Sequence, residues 1–350
     1  MKRRLIRTII YALLLGSVTF LLAIFLPRKY SVPSLEARAD THFWQLQSGS
    51  RIAFVHIPAK ATKKPFPIIY LHGGPGGHVR DEVISYLAPL ADEGFDIYFY
   101  NQIGSGKSDR LEDITEYTVD RHVRDLAAIT EKLGSRKVIL IGQSWGAILA
   151  TLFATAYPDR IERMVLTCPG PIFPVHQELR KVTAPDSLHP RMPIFTNAQG
   201  VEKASNIRSK AIDFFASRFG WKLASDNEAD AFATYSGYQI DRSTVCDTSK
   251  IPGMEAGNGF YAGARTFKSL MEVKDYRAAL GTIKSPVLIL KGQCDNQPWG
   301  YTKEYMDLFQ NHRFAIIPSA GHFLWIEQPQ LSREVIRQFL VDSAIRLDSK

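Results

Sequence analysis

The sequence predicts an α/β fold, in which a doubly wound, mostly parallel sheet carries an inserted helical lid and follows an N-terminal transmembrane helix. Three observations support this prediction. Short apolar runs alternate with amphipathic helical segments along most of the 350 residues. The alternation is interrupted over residues 171–280, where helical signals continue without strong strands. Before the first strand, the segment from Thr8 to Leu26 contains no charged residue.

The uncharged N-terminal segment is close to the ~20 residues that a helix needs to span a bilayer. Four basic residues precede it and two follow it, and this asymmetry keeps the N-terminus in the cytoplasm. Its apolar core is longer than that of most cleaved signal peptides, and residues 37–39 offer only a late cleavage site. We therefore expect residues 1–30 to be an uncleaved anchor in membrane lipid, with the rest of the chain extracytoplasmic. Cleavage would instead release a secreted protein.

The formal net charge of +8 belongs mainly to this anchor. Six positive side chains lie within residues 1–30, which contain no acid, so the remaining chain has a net charge of about +2. A nucleic-acid-binding protein needs a basic face on its folded domain. We therefore expect no nucleic-acid partner, and the sequence does not indicate an oligomeric state.

The cysteines Cys168, Cys246 and Cys294 lack the spacing of a metal site. An oxidising compartment would permit one disulfide and leave the third cysteine unpaired. We expect the three to be mainly small buried residues. The sequence predicts no metal site.

A linker is expected over residues 31–41, followed by the first part of the core over residues 42–170. A hairpin that turns at Ser48-Gly49 opens this part. An amphipathic helix runs from Thr118 to Gly134 and ends at a glycine, and a second helix after Trp145 stops at Pro158. The predicted strands are apolar runs within residues 66–74, 95–102, 137–141 and 163–169.

The second part of the core is predicted over residues 281–350. An apolar strand lies within residues 285–295, and a helix follows from about Thr302 to Phe309. Another strand lies within residues 313–322. A final helix is expected from about Gln330 to Ile345, which completes the alternating pattern.

The segment between the two parts, residues 171–280, is too long for a plain connection and should form helices of its own. We interpret it as a lid inserted into the sheet domain. Its many aromatic residues should form a small core rather than a cofactor site. These residues are Phe214, Phe215, Trp221, Tyr235, Tyr238, Phe260 and Tyr261.

A serine lies between two glycines in the stretch GQSWG, residues 142–146. An apolar, β-branched strand precedes it and a helix rich in alanine and leucine follows, so Ser144 occupies a sharp strand-to-helix turn. Gly142 and Gly146 leave room for a strained backbone and a close approach of helix to strand. Because such a turn presents the hydroxyl at the top of a sheet, the context predicts a nucleophile rather than an ordinary turn residue.

A serine hydroxyl needs a base that accepts its proton and an acid that orients the base. His322 follows a late apolar strand, which is the setting expected of the base. Asp295 lies at the tip of the preceding strand, where an aspartate is often a simple turn residue. The order Ser144, Asp295, His322 along the chain favours the catalytic interpretation.

Backbone N–H groups should stabilise the negative oxygen that develops during nucleophilic attack. One donor is expected at Trp145, directly after the predicted nucleophile. The other is expected at Gly74, within the stretch LHGGPGG that follows an early strand. Glycines let the backbone approach a substrate closely, although the same stretch would also serve as a generic turn.

With these motifs, the chain resembles the α/β-hydrolase superfamily over nearly all of residues 42–345, and more narrowly its proline iminopeptidase branch. That branch carries H-G-G-P-G, matched by His72 to Gly76, and G-x-S-W-G, matched by Gly142 to Gly146. Its D-Q-R-G-x-G-x-S segment is matched by Asn101 to Ser108 with two departures. Asn101 stands in place of aspartate and Ile103 in place of arginine. Neither departure touches the predicted triad.

The resemblance implies a serine hydrolase that acts through an acyl-enzyme without a metal or organic cofactor. Its substrate would be a peptide with a small N-terminal residue, proline first. Such peptidases hold the α-amino group of the substrate with lid carboxylates, and Glu255 is our candidate. The competing lid glutamates are Glu178, Glu202, Glu228 and Glu272.

Two alternatives remain open at the level of sequence. Without an amine-binding site, the same machinery would serve a membrane-anchored carboxylesterase or lipase. A non-catalytic binding protein could also use this fold, since fold alone does not imply function. All three members of the predicted triad are present, which favours an enzyme.

Overall fold

A computed structural model describes residues 2–342, and its centre is an eight-stranded sheet. The strands are β1 (His42–Gln45), β2 (Arg51–Ile57), β3 (Ile68–Leu71), β4 (Ile97–Tyr100), β5 (Val138–Gln143), β6 (Ile161–Thr167), β7 (Val287–Gly292) and β8 (His312–Ile317). Their order is β1-β2-β4-β3-β5-β6-β7-β8. β2 pairs antiparallel with β1 and with β4, and the other pairs are parallel. The mostly parallel sheet is therefore confirmed.

Helices precede the sheet, cover it and form the insertion. They are α1 (Lys2–Phe25), α2 (Asp81–Leu87), α3 (Val119–Lys132), α4 (Trp145–Ala156), α5 (Asn197–Ala204), α6 (Ile207–Phe219), α7 (Asp226–Ile240), α8 (Phe260–Met271), α9 (Arg277–Leu280), α10 (Trp299–Leu308), α11 (Leu324–Glu327) and α12 (Pro329–Val341). α12 ends before the predicted Ile345, and residues 343–350 of the predicted core lie outside the described residues.

Two apolar clusters lie on opposite faces of the sheet, which confirms the doubly wound arrangement. One contains Leu126 from α3 and Phe153 from α4. The other contains Leu87 from α2 and Phe339 from α12. β5 and β7 are buried along their whole length, as expected of strands covered on both faces. The carboxyl ends of these strands carry the loops that form the site.

The described residues 171–280 contain helices and turns without a strand. Thr196 and Asn206 begin α5 and α6 with capping boxes, in which side chain and backbone satisfy each other's hydrogen bonds. We call residues 171–280 the lid. It joins the sheet between β6 and β7, so it emerges at the carboxyl edge of the sheet.

The aromatic residues of the lid do not all form its core. Tyr261 is buried as expected, whereas Phe214 and Trp221 expose 54% and 61% of their surface. The expectation of a shared core is wrong for these two residues. Ile212 and Ala216, four positions apart on α6, are fully buried and form its inner face instead.

The N-terminal helix α1 begins six residues before the predicted span, and it ends at Phe25, one residue before the end of that span. No side chain of residues 3–25 is buried against the rest of the protein. The helix is long and apolar enough to cross a membrane, and a signal sequence would share these properties.

Candidate active site

Ser144 lies between β5 and α4, at the carboxyl edge of the sheet. Its backbone has φ 54° and ψ −114°, a conformation that residues other than glycine rarely adopt. The N–H of Ser144 donates to the carbonyl oxygen of Thr167 (3.0 Å), which holds the turn against β6. The structure therefore contains the strained strand-to-helix turn that the sequence predicts.

Close packing requires the two glycines of this turn. A Cβ atom added to Gly146 would overlap the carbonyl oxygen of Leu71 at the end of β3. A Cβ atom added to Gly142 would overlap the carbonyl oxygen of Gly146. A larger residue at either position would push α4 away from the sheet and move Ser144 with it.

The loops after β7 and β8 bring the predicted acid and base together. Gly292 pairs with Ile317 across the two strands, so both loops start side by side. The Nδ1 of His322 donates to Oδ1 of Asp295 at 2.6 Å, and both side chains are buried. In serine hydrolases, a hydrogen bond of this kind orients the imidazole of the general base.

Lys291 is a site residue that the sequence analysis missed. Its Nζ lies 2.6 Å from Oδ2 of Asp295 and donates to the carbonyl oxygen of Gln297 at 2.8 Å. Burial opposes ionisation of Asp295, but the charges of Lys291 and His322 outweigh it and hold the pKa of this carboxyl well below its usual range. The sequence shows only a lysine at the end of an apolar run, and the structure shows that this strand is buried along its whole length.

A cavity of about 770 Å³ opens at this edge of the sheet. Ser144 and His322 line it, together with Gly74 and Glu255. Neither the N–H of Gly74 nor that of Trp145 donates a hydrogen bond to another described residue. The structure thus places the predicted nucleophile, base and amine-binding residue at one cavity, beside two N–H groups that are available to a ligand.

A buried hydrogen-bond network joins three sequence motifs around the site. The Nε1 of Trp145 donates to Oε1 of Gln102 at 2.8 Å. Gln102 in turn donates to the carbonyl oxygen and to Nε2 of His72, at 3.1 and 3.0 Å. Burial lowers the pKa of His72 to about 3, so its imidazole is neutral and able to accept. This network, which the sequence analysis did not predict, holds the glycine loop against the nucleophile turn.

A disulfide joins Cys246 of the lid to Cys294, directly before Asp295. This pair forms the one disulfide that an oxidising compartment would permit, and Cys294 is buried as expected while Cys246 is only half-buried. The lid folds back over the sheet and brings their Cα atoms within 5.3 Å, across 48 residues of sequence. The bond restrains the loop that carries the predicted acid, while Cys168 is a buried free thiol.

One group of described residues has the spacing of metal ligands. Single ligand atoms of Cys168, Asp295 and His322 all lie within 4.8 Å of one another. Burial, and then the charge of Asp295, raise the pKa of the Cys168 thiol well above its usual range. A protonated thiol is a poor ligand, and the carboxylate and imidazole already bind each other. The arrangement therefore favours a catalytic pair over a metal site.

Glu255 lies in a charged cluster at the cavity wall. Its carboxylate is 3.6 Å from Nε of Arg80 and 3.7 Å from Nε2 of His78. Arg80 also lies 3.5 Å from Asp241, a second cavity carboxylate that the sequence analysis missed. Burial raises the pKa of Asp241 to about 6, although Arg80 opposes this effect. Among the described residues that line this cavity, the competing glutamates are not found: Glu178, Glu202, Glu228 and Glu272.

The two departures from the family pattern occupy structural positions. The Oδ1 of Asn101 accepts a hydrogen bond from the N–H of Val79 (2.8 Å). The side chain of Ile103 is buried in the core. Within the described part of the chain, neither residue lines the cavity at Ser144.

Comparisons with known proteins identify the family. The family described as alpha/beta hydrolase fold matches residues 67–329, which is most of the chain. This chain belongs to the α/β-hydrolase family. A proline iminopeptidase from Heyndrickxia coagulans is 27% identical over 296 residues, which cover 84% of this α/β-hydrolase and 96% of that relative.

Solved structures share the fold of this α/β-hydrolase. A thermophilic esterase from Thermogutta terrifontis has a TM-score of 0.61 and 21% identity, covering 86% of this chain and 98% of the esterase. Proline iminopeptidase from Mycobacterium smegmatis has a TM-score of 0.55 and 21% identity, covering 86% and 97%. The family and its proline iminopeptidase-like relatives make this chain an enzyme of the serine hydrolase type.

Proposed function

We propose that this α/β-hydrolase cleaves its substrate through an acyl-enzyme on Ser144. His322 accepts the proton of the hydroxyl as Ser144 attacks the carbonyl carbon, and Asp295 orients the imidazole. The imidazolium then gives the proton to the leaving group. In the second half of the reaction, His322 accepts a proton from a water molecule as that water attacks the acyl-enzyme ester, and Ser144 is released. The hydrogen bond of 2.6 Å between His322 and Asp295 is the observation that carries this proposal.

The N–H groups of Gly74 and Trp145 are proposed to hold the oxyanion of the tetrahedral intermediate. Support comes from the absence of any other hydrogen bond from these two groups within the described chain. The network through Gln102 supports the same role, because it keeps the two backbone segments together while the substrate carbonyl changes geometry. Neither a metal nor an organic cofactor takes part in these steps.

The proposed reaction is release of a small N-terminal residue, proline first, from a peptide. Support comes from the charge of the cavity as well as from the relatives. Two carboxylates of the cavity, Glu255 and Asp241, and a third outside its lining, Glu82, lie within 3.6 Å of the single guanidinium of Arg80. The imidazole of His78 donates through Nδ1 to Asn258 (2.9 Å), while its Nε2 makes no hydrogen bond to a described residue. The carboxylates of this cluster outnumber its cationic groups even when His78 is counted among them, and the surplus negative charge suits a substrate α-ammonium.

Ester hydrolysis is the second candidate. The Glu255 carboxylate already has a cation within 3.6 Å, so a neutral acyl group could occupy the cavity without a new ionic partner. Exposed aromatic side chains on the lid are also consistent with a lipid-like ester.

For localisation, we propose that α1 is an uncleaved anchor and that the hydrolase domain lies outside the cytoplasm. The disulfide between Cys246 and Cys294 supports an oxidising compartment. The excess of basic residues before the span supports a cytoplasmic N-terminus. Protease added to intact spheroplasts should digest the domain, and protection until lysis would contradict this orientation.

The substrate proposal is tested with proline β-naphthylamide, its N-acetylated form and p-nitrophenyl esters of increasing chain length. Rapid turnover of the free but not the N-acetylated amide, with slower ester turnover and with KM for the amide raised by Glu255→Gln, is the result that we expect. Equal turnover of the two amides, with ester turnover rising with chain length, would favour the esterase. Glu272→Gln is the matched control, because Glu272 is a lid glutamate outside the cavity lining.

A further inference from the structure

Four aromatic rings form a contiguous cluster on the outer surface of the lid. We call this cluster the aromatic patch: Phe214, Phe215, Phe219 and Trp221. Neighbouring ring centroids lie 5.1 to 6.2 Å apart. Phe214, Phe219 and Trp221 each leave about half of their surface exposed. Contiguous apolar surface of this kind marks an interaction site more often than isolated apolar residues do.

Three of the four rings belong to α6, the helix that binds the end of the anchor, and Trp221 follows two residues after it. Arg208, at the start of α6, donates through Nη1 to the carbonyl oxygen of Ile24 at 2.6 Å. Its Nε and Nη2 hold Glu228 at 2.7 and 2.8 Å, and Glu228 accepts the N–H of Arg28 at 2.9 Å. The ion pair between Arg208 and Glu228 therefore binds one of the last carbonyl groups of α1 and the N–H of Arg28, just after the helix.

These bonds set the height of the lid relative to a bilayer. If α1 spans the membrane, Ile24 lies near the end of the apolar span, and α6 starts at the same level. Phe214 is six residues beyond Arg208, or about 9 Å along the helix. Phe219 is eleven residues beyond Arg208, or about 16 Å, which exceeds the headgroup layer of roughly 5–8 Å, so the whole patch reaches the bilayer when α6 lies along the membrane surface.

The chemistry of the patch matches that level. Tryptophan favours the boundary between acyl chains and headgroups, and phenylalanine is typical of the apolar face of helices that lie in this boundary. Lys210 is exposed on α6, and the guanidinium of Arg218 lies 5.5 Å from the ring centre of Phe219. Cations beside aromatic rings are typical of surfaces that bind anionic lipid.

We propose that the aromatic patch inserts into the bilayer that holds α1. Asp213, the neighbour of Phe214, lines the cavity that contains Ser144. Insertion therefore places the rim of the cavity at the membrane surface, where substrates that partition into the bilayer are concentrated. The proposal rests on membrane anchoring by α1, and it does not depend on which bond the enzyme cleaves.

Depth measurement in the full chain tests the insertion without a catalytic readout. Phe214→Cys is labelled with an environment-sensitive nitrobenzoxadiazole dye, and the protein is reconstituted into 3:1 phosphatidylcholine–phosphatidylglycerol vesicles. Cys168 is buried and the other two cysteines are bonded to each other, so the new thiol reacts selectively. The matched control is Arg136→Cys, because Arg136 precedes β5 at the amino edge of the sheet, opposite the lid.

The expected result is quenching by doxyl-labelled lipid at least threefold stronger at position 214 than at position 136, with the reverse order for aqueous iodide. Equal quenching at both positions would overturn the proposal. Protection of position 214 from both quenchers would also overturn it, since a second copy of the chain would then cover the patch.

A second variant tests the consequence for substrate access. Phe214→Ser combined with Trp221→Ser should leave turnover of soluble p-nitrophenyl acetate unchanged. Turnover of a long-chain p-nitrophenyl ester carried in the same vesicles should fall several-fold. An unchanged rate on the vesicle-borne ester would contradict the insertion proposal, whereas retention of both activities in Ser144→Ala would contradict only the catalytic assignment.

Discussion

Asp241→Asn should weaken binding of the substrate amine and at the same time stabilise the fold. Asp241 supplies one of the two carboxylates around Arg80 in the cavity. A carboxylate about 5 Å from an ammonium contributes ~3 kcal/mol at an effective dielectric constant of 20, and less where water enters the cavity. We therefore expect KM for proline β-naphthylamide to rise by about 10- to 100-fold, with little change for p-nitrophenyl acetate.

The stability effect has the opposite sign. Burial raises the pKa of Asp241 from its ordinary value of 3.8 to about 6. The folded protein thus holds this proton more tightly than the unfolded chain, so its stability falls as pH rises from about 4 to 6. A shift of about two units corresponds to ~3 kcal/mol at pH 7. The neutral amide avoids this cost, and the unfolding midpoint of the variant should rise by roughly 5 °C at pH 7.

The assay is the ratio of kcat/KM for the amine substrate to kcat/KM for the ester, measured from pH 5 to 8. Titration of the triad affects both substrates and cancels in the ratio. In the wild type, the ratio should fall as pH drops through about 6, because Asp241 becomes protonated. In Asp241→Asn the ratio should be low and flat. A variant that is less stable at pH 7 and keeps the wild-type ratio would refute the reasoning.

Two further predictions concern the residues that support the proposed triad. Lys291→Met leaves the buried partner carboxylate without its cation and should lower the free energy of unfolding by ~3–5 kcal/mol, as measured by urea denaturation. The control Lys303→Met removes an exposed pair and should cost less than about 1 kcal/mol; equal losses would contradict the first estimate. Replacing Cys246 and Cys294 with alanine removes the crosslink that closes a loop of 48 residues. The free energy of unfolding should fall by ~4 kcal/mol. Reducing agent should destabilise the wild type but not this double variant, and an equal response of both would argue against the bond.

Local patterns were sufficient to predict the elements and to place Ser144, Asp295 and His322 at the ends of strands. Apolar runs bounded by glycine identified β5 and β7, and residues at the tips of parallel strands necessarily meet at one edge of the sheet. Glycine spacing around Ser144 predicted the turn, since only a small residue lets α4 approach so closely. These inferences used short stretches of sequence.

Contacts between distant segments were not predictable in this way. The pairing of Cys246 with Cys294 and that of Arg80 with Asp241 depend on how the lid folds back over the sheet. Lys291 lies only four residues from its partner, yet a lysine in a buried strand has meaning only once both faces are seen to be covered. The prediction that the lid aromatics form a core failed for the same reason, because the exposure of these side chains depends on which face of α6 packs inward.

Covalent labelling of Ser144 tests the central claim most directly. The full-length protein in detergent is treated with a fluorophosphonate probe, and the adduct is located by peptide mass spectrometry. Activation by His322 predicts a single adduct on Ser144, with labelling lost in Ser144→Ala and reduced by several orders of magnitude in His322→Ala. Wild-type protein that takes up no probe, or His322→Ala that labels at the wild-type rate, would contradict the account.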